Sequence, residues 1–382
     1  MKWAVKEAYL LAREVDLPEA LSLISSLNAE ISGTFVIKNS YRADRNTYLR
    51  KGKLEELKRA VKDGFSENTV LYVYDDLRPR QKVNLMKELR ITVKDKVDLI
   101  LEIFAEHAGS KEAKLQIEMA ELLHTLPLIK EWISKSKLKE LPGFMGPGRY
   151  AVDAYYTHVR KRMSKIRKEL SLLRKRRDVE RKLRIKEGIP HVAIAGYANA
   201  GKTSLFNLLT TSAKPVSPQM FTTLSPKTKT RVIGGLKVAF VDTVGFIRNL
   251  PHEVIEAFYT TLEEITLADL TLLVIDSSEP IDEIHTKVSS SLKILSKIGF
   301  TGKEIIGVVN KVDLTEDNGL RAAAETSSIL ETAWRGDWKV VRVSARSGFG
   351  LNWLLEEIRQ SLSMQGILNR RAGVVYGEGL RS

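Results

Sequence analysis

The stretch Gly196–Thr203, GYANAGKT, narrows the choice of fold more than any other part of the chain. It matches G-x-x-x-x-G-K-[ST], follows the apolar run His191–Ala195 and opens a helix-patterned segment, Lys202–Thr210. A loop of this kind belongs between a parallel strand and the helix that follows it. Its glycines let backbone amides wrap a chain of phosphates, and the helix N-terminus adds partial positive charge. Lys202 is suited to bridge the outer phosphates, and the Thr203 hydroxyl to ligate Mg2+. Nucleotide contacts are therefore expected from Gly196, Tyr197, Ala198, Asn199, Ala200, Gly201, Lys202, Thr203 and Ser204.

The residues that follow repeat the same strand and helix rhythm. Apolar runs at Lys237–Val241, Leu270–Ile275, Ile305–Val309 and Val340–Val343 alternate with helix-length segments, and Gly234-Gly235 is a two-residue hairpin signal. The prediction is a mostly parallel six-stranded sheet with one antiparallel edge strand, spanning residues 188–364. Asp242–Gly245, DTVG, ends the strand Lys237–Val241, so Asp242 is placed to face the metal and the Gly245 amide to sense the terminal phosphate. Of Thr222-Thr223, Thr223 is preferred as the hydroxyl that closes over Mg2+; with Lys202 and Gly245 it completes the expected catalytic set.

The base is read by NKVD, Asn310–Asp313, together with Ser344-Ala345. Asp313 can accept from both N1–H and N2–H of guanine, whereas adenine would leave the acid unpaired. Asn310 and Lys311 are expected to brace and stack on that base, with the Ala345 N–H reaching guanine O6. Phe246 follows DTVG where many Ras-like GTPases carry a water-positioning Gln, so slow intrinsic hydrolysis is expected.

The first half is organised differently. Strands are predicted at Gly33–Ile37, Thr69–Tyr74 and Leu99–Phe104, with helices at Lys53–Asp63 and Arg80–Arg90 between them, a small parallel α/β subdomain over residues 1–108. Residues 109–187 carry heptad stepping, first through Leu115, Met119, Leu122, Leu126, Ile129 and Ile133, then through Val159, Met163, Ile166, Leu170 and Leu173. Between the two lies LPGFMGPGR, Leu141–Arg149, so an antiparallel coiled-coil arm with a glycine-rich loop is expected. Most of the net charge of +14 lies in this half, and His158–Lys186 alone holds fourteen basic residues against three acidic ones. A run so nearly single-signed points to a polyanion, with RNA favoured. The absence of cysteine excludes disulfides and thiolate metal sites, and no apolar run approaches membrane-spanning length, so a cytoplasmic location is expected; the oligomeric state is left open by the sequence, with a monomer favoured. Residues 365–382 read as a tail.

The second half resembles a translation-factor-type GTPase domain, and the whole chain resembles the HflX family. YDDLRPRQKVNL (Tyr74–Leu85), VDLILEIFAEHAGSKEAKLQIEMAEL (Val97–Leu122) and GPG (Gly146–Gly148) carry that resemblance in the first half. It implies GTP hydrolysis, GTP and GDP as ligands, and binding to the large ribosomal subunit and its RNA, with the arm reaching toward the peptidyl-transferase region to split or rescue stalled ribosomes. A nucleotide-gated RNA-binding adaptor in ribosome assembly or RNA processing is the alternative. Two departures stand out: Arg149 follows GPG where the family commonly has Glu, and Arg50-Lys51-Gly52-Lys53 lacks the first glycine of the family's Gly-Lys-Gly-Lys segment. Asn199 resembles the asparagine with which potassium-activated GTPases hold K+ beside the phosphates.

Overall fold

The structure, a computed structural model, describes residues 7–27, 29–62, 69–137, 149–211, 224, 226–248 and 251–364. Thr222, Thr223, the glycine-rich loop before Arg149 and the tail from residue 365 lie outside the described residues. The described chain divides into two compact units, one running to Leu170 and taking in Pro251–Ala257, the other comprising the remainder from Ser171.

The first unit contains β1 (Glu7–Arg13), α1 (Leu17–Ser25), β2 (Glu30–Ile37), α2 (Lys51–Lys62), β3 (Val70–Val73), α3 (Pro79–Leu89), β4 (Thr92–Lys94), α4 (Lys96–His107) and α5 (Lys111–Lys137). The strands pair in the order β2-β1-β3-β4, all parallel. Strand β3 is buried along its length and β1 at all but its two end residues, as expected where helices cover both faces of a sheet. One expectation fails: Leu99–Phe104 is not a strand but the middle of α4. Asp95 and Asp98 explain why. The Asp95 carboxylate accepts the Asp98 N–H at 3.1 Å, and the Asp98 carboxylate accepts the Asp95 N–H at 2.9 Å, a reciprocal cap that starts a helix. Burial on nearly every face then gives it the continuous apolar run of a core strand.

A single helix, α6 (Arg149–Lys186), begins in the first unit and ends in the second. Its 38 residues span about 57 Å at 1.5 Å per residue. Within the first unit α5 and α6 run antiparallel, because Lys111 pairs with Glu169 at 2.8 Å, Glu118 with Arg162, and Lys130 lies over the Tyr156 ring. Along α6 Val159, Met163 and Ile166 are buried and Leu170 and Leu173 half-buried. In the second unit the same stepping continues through half-buried Arg177, Arg181 and Arg184, so the seam changes from hydrocarbon to guanidinium. Arg174 pairs with Glu263, and the guanidiniums of Arg177, Arg181 and Arg184 lie close enough to oppose the rise that burial imposes on the Glu264 carboxyl. Ten of the fourteen basic residues between His158 and Lys186 stand exposed.

The second unit contains β5 (His191–Gly196), α7 (Lys202–Leu209), β6 (Lys227–Ile233) and β7 (Leu236–Asp242). After α8 (His252–Ala257), which groups with the first unit, come α9 (Tyr259–Leu267), β8 (Leu270–Asp276), α10 (Ile281–Lys297), β9 (Ile305–Asn310), α11 (Glu316–Ala333), β10 (Trp338–Arg342) and α12 (Leu351–Met364). The sheet order is β10-β9-β8-β5-β7-β6, parallel except for β6, which joins β7 through the Gly234-Gly235 turn. On one face Leu205, Phe206, Leu354, Ile358 and Leu362 close over Ile194, Phe240 and Leu272. Each such side chain contributes roughly 1.5–3 kcal/mol on burial, and the effect is to hold the C-terminal ends of β5, β7, β8 and β9 side by side. No helix among the described residues is long and apolar enough to cross a membrane.

Candidate functional site

Strand β5 lies between β8 and β7 and is buried throughout, so the backbone leaving it emerges at the centre of the sheet edge. Gly196 turns there with φ +139°, and a Cβ on it would lie 2.4 Å from the Val274 carbonyl oxygen. Gly201 opens α7 at φ +93°, where a Cβ would come within 2.2 Å of Asn310 Nδ2. Both glycines are thus required by backbone shape and by close neighbours. Asn199, between them, is exposed and left-handed at φ +64°, a conformation Asn tolerates better than most residues.

Lys202 folds back beneath the loop, its Nζ donating to the Tyr197 carbonyl at 2.7 Å. Burial lowers its ammonium to about 8, with the Asp242 carboxylate opposing the drop. Asp242 is fully buried at the end of β7, and its Oδ2 accepts from the Thr203 hydroxyl at 3.1 Å. The next residue, Thr243, locks the end of β7 to β5 by donating its hydroxyl to the Ile194 carbonyl at 2.8 Å. Gly245 then passes over Lys202, where a Cβ would lie 2.9 Å from Nζ and 3.0 Å from Ala198 Cα. Phe246 N–H donates to the Gly196 carbonyl at 3.0 Å and Ala198 N–H to the Phe246 carbonyl at 2.7 Å, so DTVG and the loop are joined by backbone bonds. The Phe246 ring is wholly buried.

The second half of the site is built on β9. Asn310 Nδ2 donates to the Ala200 carbonyl at 2.9 Å, and Asn310 Oδ1 accepts the Ala345 N–H at 2.9 Å. One buried side chain thereby ties the glycine loop to the Ser344-Ala345 turn. The Ala345 amide assigned from sequence to guanine O6 is engaged by Asn310 in this structure. Ser344 is buried and its Oγ accepts from the Ser347 N–H, holding that turn. Lys311 pairs with Asp276 at 2.6 Å, while Asp313 stands exposed beyond it. Ser204 continues the first turn of α7. Every sequence-predicted site residue except Thr223, which is not described, thus lies at one edge of one sheet, on strand ends, the loops that leave them or the first turn of α7. Sequence reasoning missed Thr243 and Asp276, whose partners are set by strand register and leave no local signature.

These three loops, a glycine turn with a buried lysine, a carboxylate–hydroxyl pair and an asparagine clamp, have the arrangement of a P-loop nucleotide site. Three families match successive parts of the chain: one described as GTP-binding GTPase N-terminal over residues 14–105, one as GTP-binding GTPase Middle Region over 107–184, and one as 50S ribosome-binding GTPase over 191–311. GTPase HflX of Hyperthermus butylicus is 43% identical over 366 residues, spanning 95% of this chain and 93% of that protein. The chain belongs to the HflX family of GTPases. GTPase HflX of Saccharolobus solfataricus is 35% identical, spanning 93% and 98% of the two chains. A crystal structure of a GTP-binding protein from Sulfolobus solfataricus in complex with GDP is also similar to this HflX-family chain: 31% identity, a TM-score of 0.50, and coverage of 94% and 99%.

Elsewhere in this HflX-family chain, one further group among the described residues has the donors of a metal site, Asp95, Asp98 and His124. Lys82 already lies among them, its Nζ 3.1 Å from Asp95 Oδ2, 3.2 Å from His124 Nε2 and bonded to Asp98. An ammonium thus takes the cation's place, and the cluster pins α3, α4 and α5 together.

Proposed function

We propose that this chain binds and hydrolyses GTP, attaches to the large ribosomal subunit through the exposed basic face of α6, and splits or rescues stalled ribosomes. Residues 1–108 and 109–187 are the RNA-facing subdomain and arm, and 188–364 the GTPase domain. The observation that carries the reading is Lys202: a buried ammonium folded under the glycine loop, held by the Tyr197 carbonyl with the Asp242 carboxylate nearby, is costly to desolvate and is relieved by a phosphate chain.

In this reading the amides from Gly196 to Ser204 cradle the phosphates, and Asp313 selects guanine by accepting N1–H and N2–H. Asn310 keeps the base loop and the phosphate loop in register by its two bonds. The Thr203 hydroxyl and Asp242 carboxylate, 3.1 Å apart, are the hard oxygen donors that fit Mg2+. When bound, Mg2+ neutralises charge on the phosphate oxygens. Thr223 is the second hydroxyl expected to close over it. Lys202 stabilises negative charge on the terminal phosphate, and the Gly245 N–H senses that group. The buried Phe246 ring cannot orient water, so hydrolysis by the isolated chain is slow and the ribosome supplies the missing stimulus.

Sedimentation of intact ribosomes incubated with the protein and a non-hydrolysable GTP analogue tests this. Release of subunits is expected. Ribosomes that remain intact, with the protein co-migrating with precursor particles instead, would establish the adaptor role and overturn the splitting role.

A further inference from the structure

The turn that closes β8, Asp276–Glu279, has no part in the sequence-based reading, yet it is bonded to the base loop and linked through Lys287 to the phosphate loop. We infer that Asp276 is a positioning residue that holds Lys311 against the face of the guanine base. This rests on the guanine reading of Asn310–Asp313 given above and deepens it.

Asp276 is the last residue of β8 and lies in register opposite Asn310. It is 8% exposed, and both carboxylate oxygens are committed. Its Oδ1 accepts the Ser278 N–H at 3.0 Å and the Ser278 hydroxyl at 2.6 Å, which fixes the rotation of the carboxylate. That leaves Oδ2 aimed at Lys311 Nζ, 2.6 Å away. The neighbouring Ser277 holds the backbone of the same motif, donating both its N–H, at 3.0 Å, and its hydroxyl, at 2.8 Å, to the Asn310 carbonyl. Lys311 itself sits at φ +65°, left-handed backbone that a side chain adopts only when its surroundings impose it.

A lysine stem is a flexible four-carbon chain and lies flat against a base in few of its rotamers. A charge-assisted bond to a carboxylate that cannot turn selects one rotamer before the nucleotide arrives. The stem is then ready to stack, and its charge is held at Asp276 rather than drawn to the phosphates. The same turn reaches the phosphate loop, since Glu279 pairs with Lys287 and the Lys287 ammonium stands 5.1 Å from the centre of the Tyr197 ring.

The test is a double-variant cycle on the full chain with Mg2+ present, reading GDP and IDP affinity, GTP turnover and thermal unfolding. Asp276→Asn keeps size and the Ser278 contacts while presenting a neutral group to Lys311. It is expected to weaken GDP and IDP alike, roughly ten- to a hundred-fold. The GDP to IDP ratio should stay unchanged, because Asp313 still reads the 2-amino group, and KM for GTP should rise while kcat holds. Lys311→Met should lose a similar factor, and the double variant should be no weaker than either single one. Losses that multiply in the double variant, or Asp276→Asn binding within about two-fold of wild type, overturn the proposal. Should Asp276→Asn unfold, Lys311→Met decides alone: wild-type GDP affinity overturns it, and a ten-fold loss supports it. Wild-type protein that binds no GDP would instead overturn the guanine reading itself.

Discussion

The buried lysine of the phosphate loop makes nucleotide binding a proton-linked event. Lys202 is lowered to about 8 because burial strips water from its ammonium, and Asp242 only partly offsets the loss. Nucleotide phosphates placed beside it favour the charged form and raise it again. Near pH 9 about 0.9 of the Lys202 side chains are then neutral before binding, so Lys202 should take up about 0.9 proton when GDP binds, against about 0.1 near pH 7, beyond the proton that ionised guanine N1 regains. The terminal phosphate of GDP is fully ionised near pH 9 and takes up none. The same shift predicts stability. The folded value lies below the unfolded 10.5, so between about pH 8 and 10.5 the unfolded chain binds more protons. Lys202 alone therefore contributes a gain of about 3 kcal/mol to the nucleotide-free protein as pH rises through that window, read as the difference from Lys202→Met, and below it the burial penalty is fully present. Calorimetric titration with GDP at the two pH values, in buffers of different ionisation enthalpy, gives proton uptake as the slope of heat against that enthalpy. A flat line near pH 9 would refute the argument, and so would an equal slope in Lys202→Met.

Two further outcomes follow from the same loops. Gly201→Ala places a methyl 2.2 Å from Asn310 Nδ2 on backbone at φ +93°, severing the bond to Ala200; a stability loss of about 2 kcal/mol and at least ten-fold weaker GDP binding are expected, and wild-type values for both would contradict the clamp. Phe246→Gln buries an amide where the ring is 0% exposed, so it should cost about 3 kcal/mol and leave single-turnover GTP hydrolysis no faster; a ten-fold acceleration would show that position 246 can reach the attacking water.

The second unit was readable because its signals are local and agree with one another. The parallel strands are short apolar runs, three of them ended by a motif, and Gly196, Asp242 and Asn310 all fall where a strand meets its loop. The first unit was harder. Strand β1, EAYLLAR, is buried but stands alone at the start of the described chain without a flanking turn signal, and β4 is only three residues long. The segment Leu99–Phe104 was misread because a helix buried on nearly all faces loses its polar stripe; the Asp95–Asp98 cap was the available clue. Asp276 and Thr243 were invisible for another reason. Their chemistry is common, and only the pairing of β8 with β9 and of β5 with β7 gives them partners.

The change of lining along α6 gives the two ends of one rod unlike responses to their surroundings. Apolar contacts around Ile166 weaken on cooling, while the ion pairs beside them, Lys111–Glu169 and Glu118–Arg162, and the guanidinium fastening from Arg174 to Arg184 loosen as electrolyte rises.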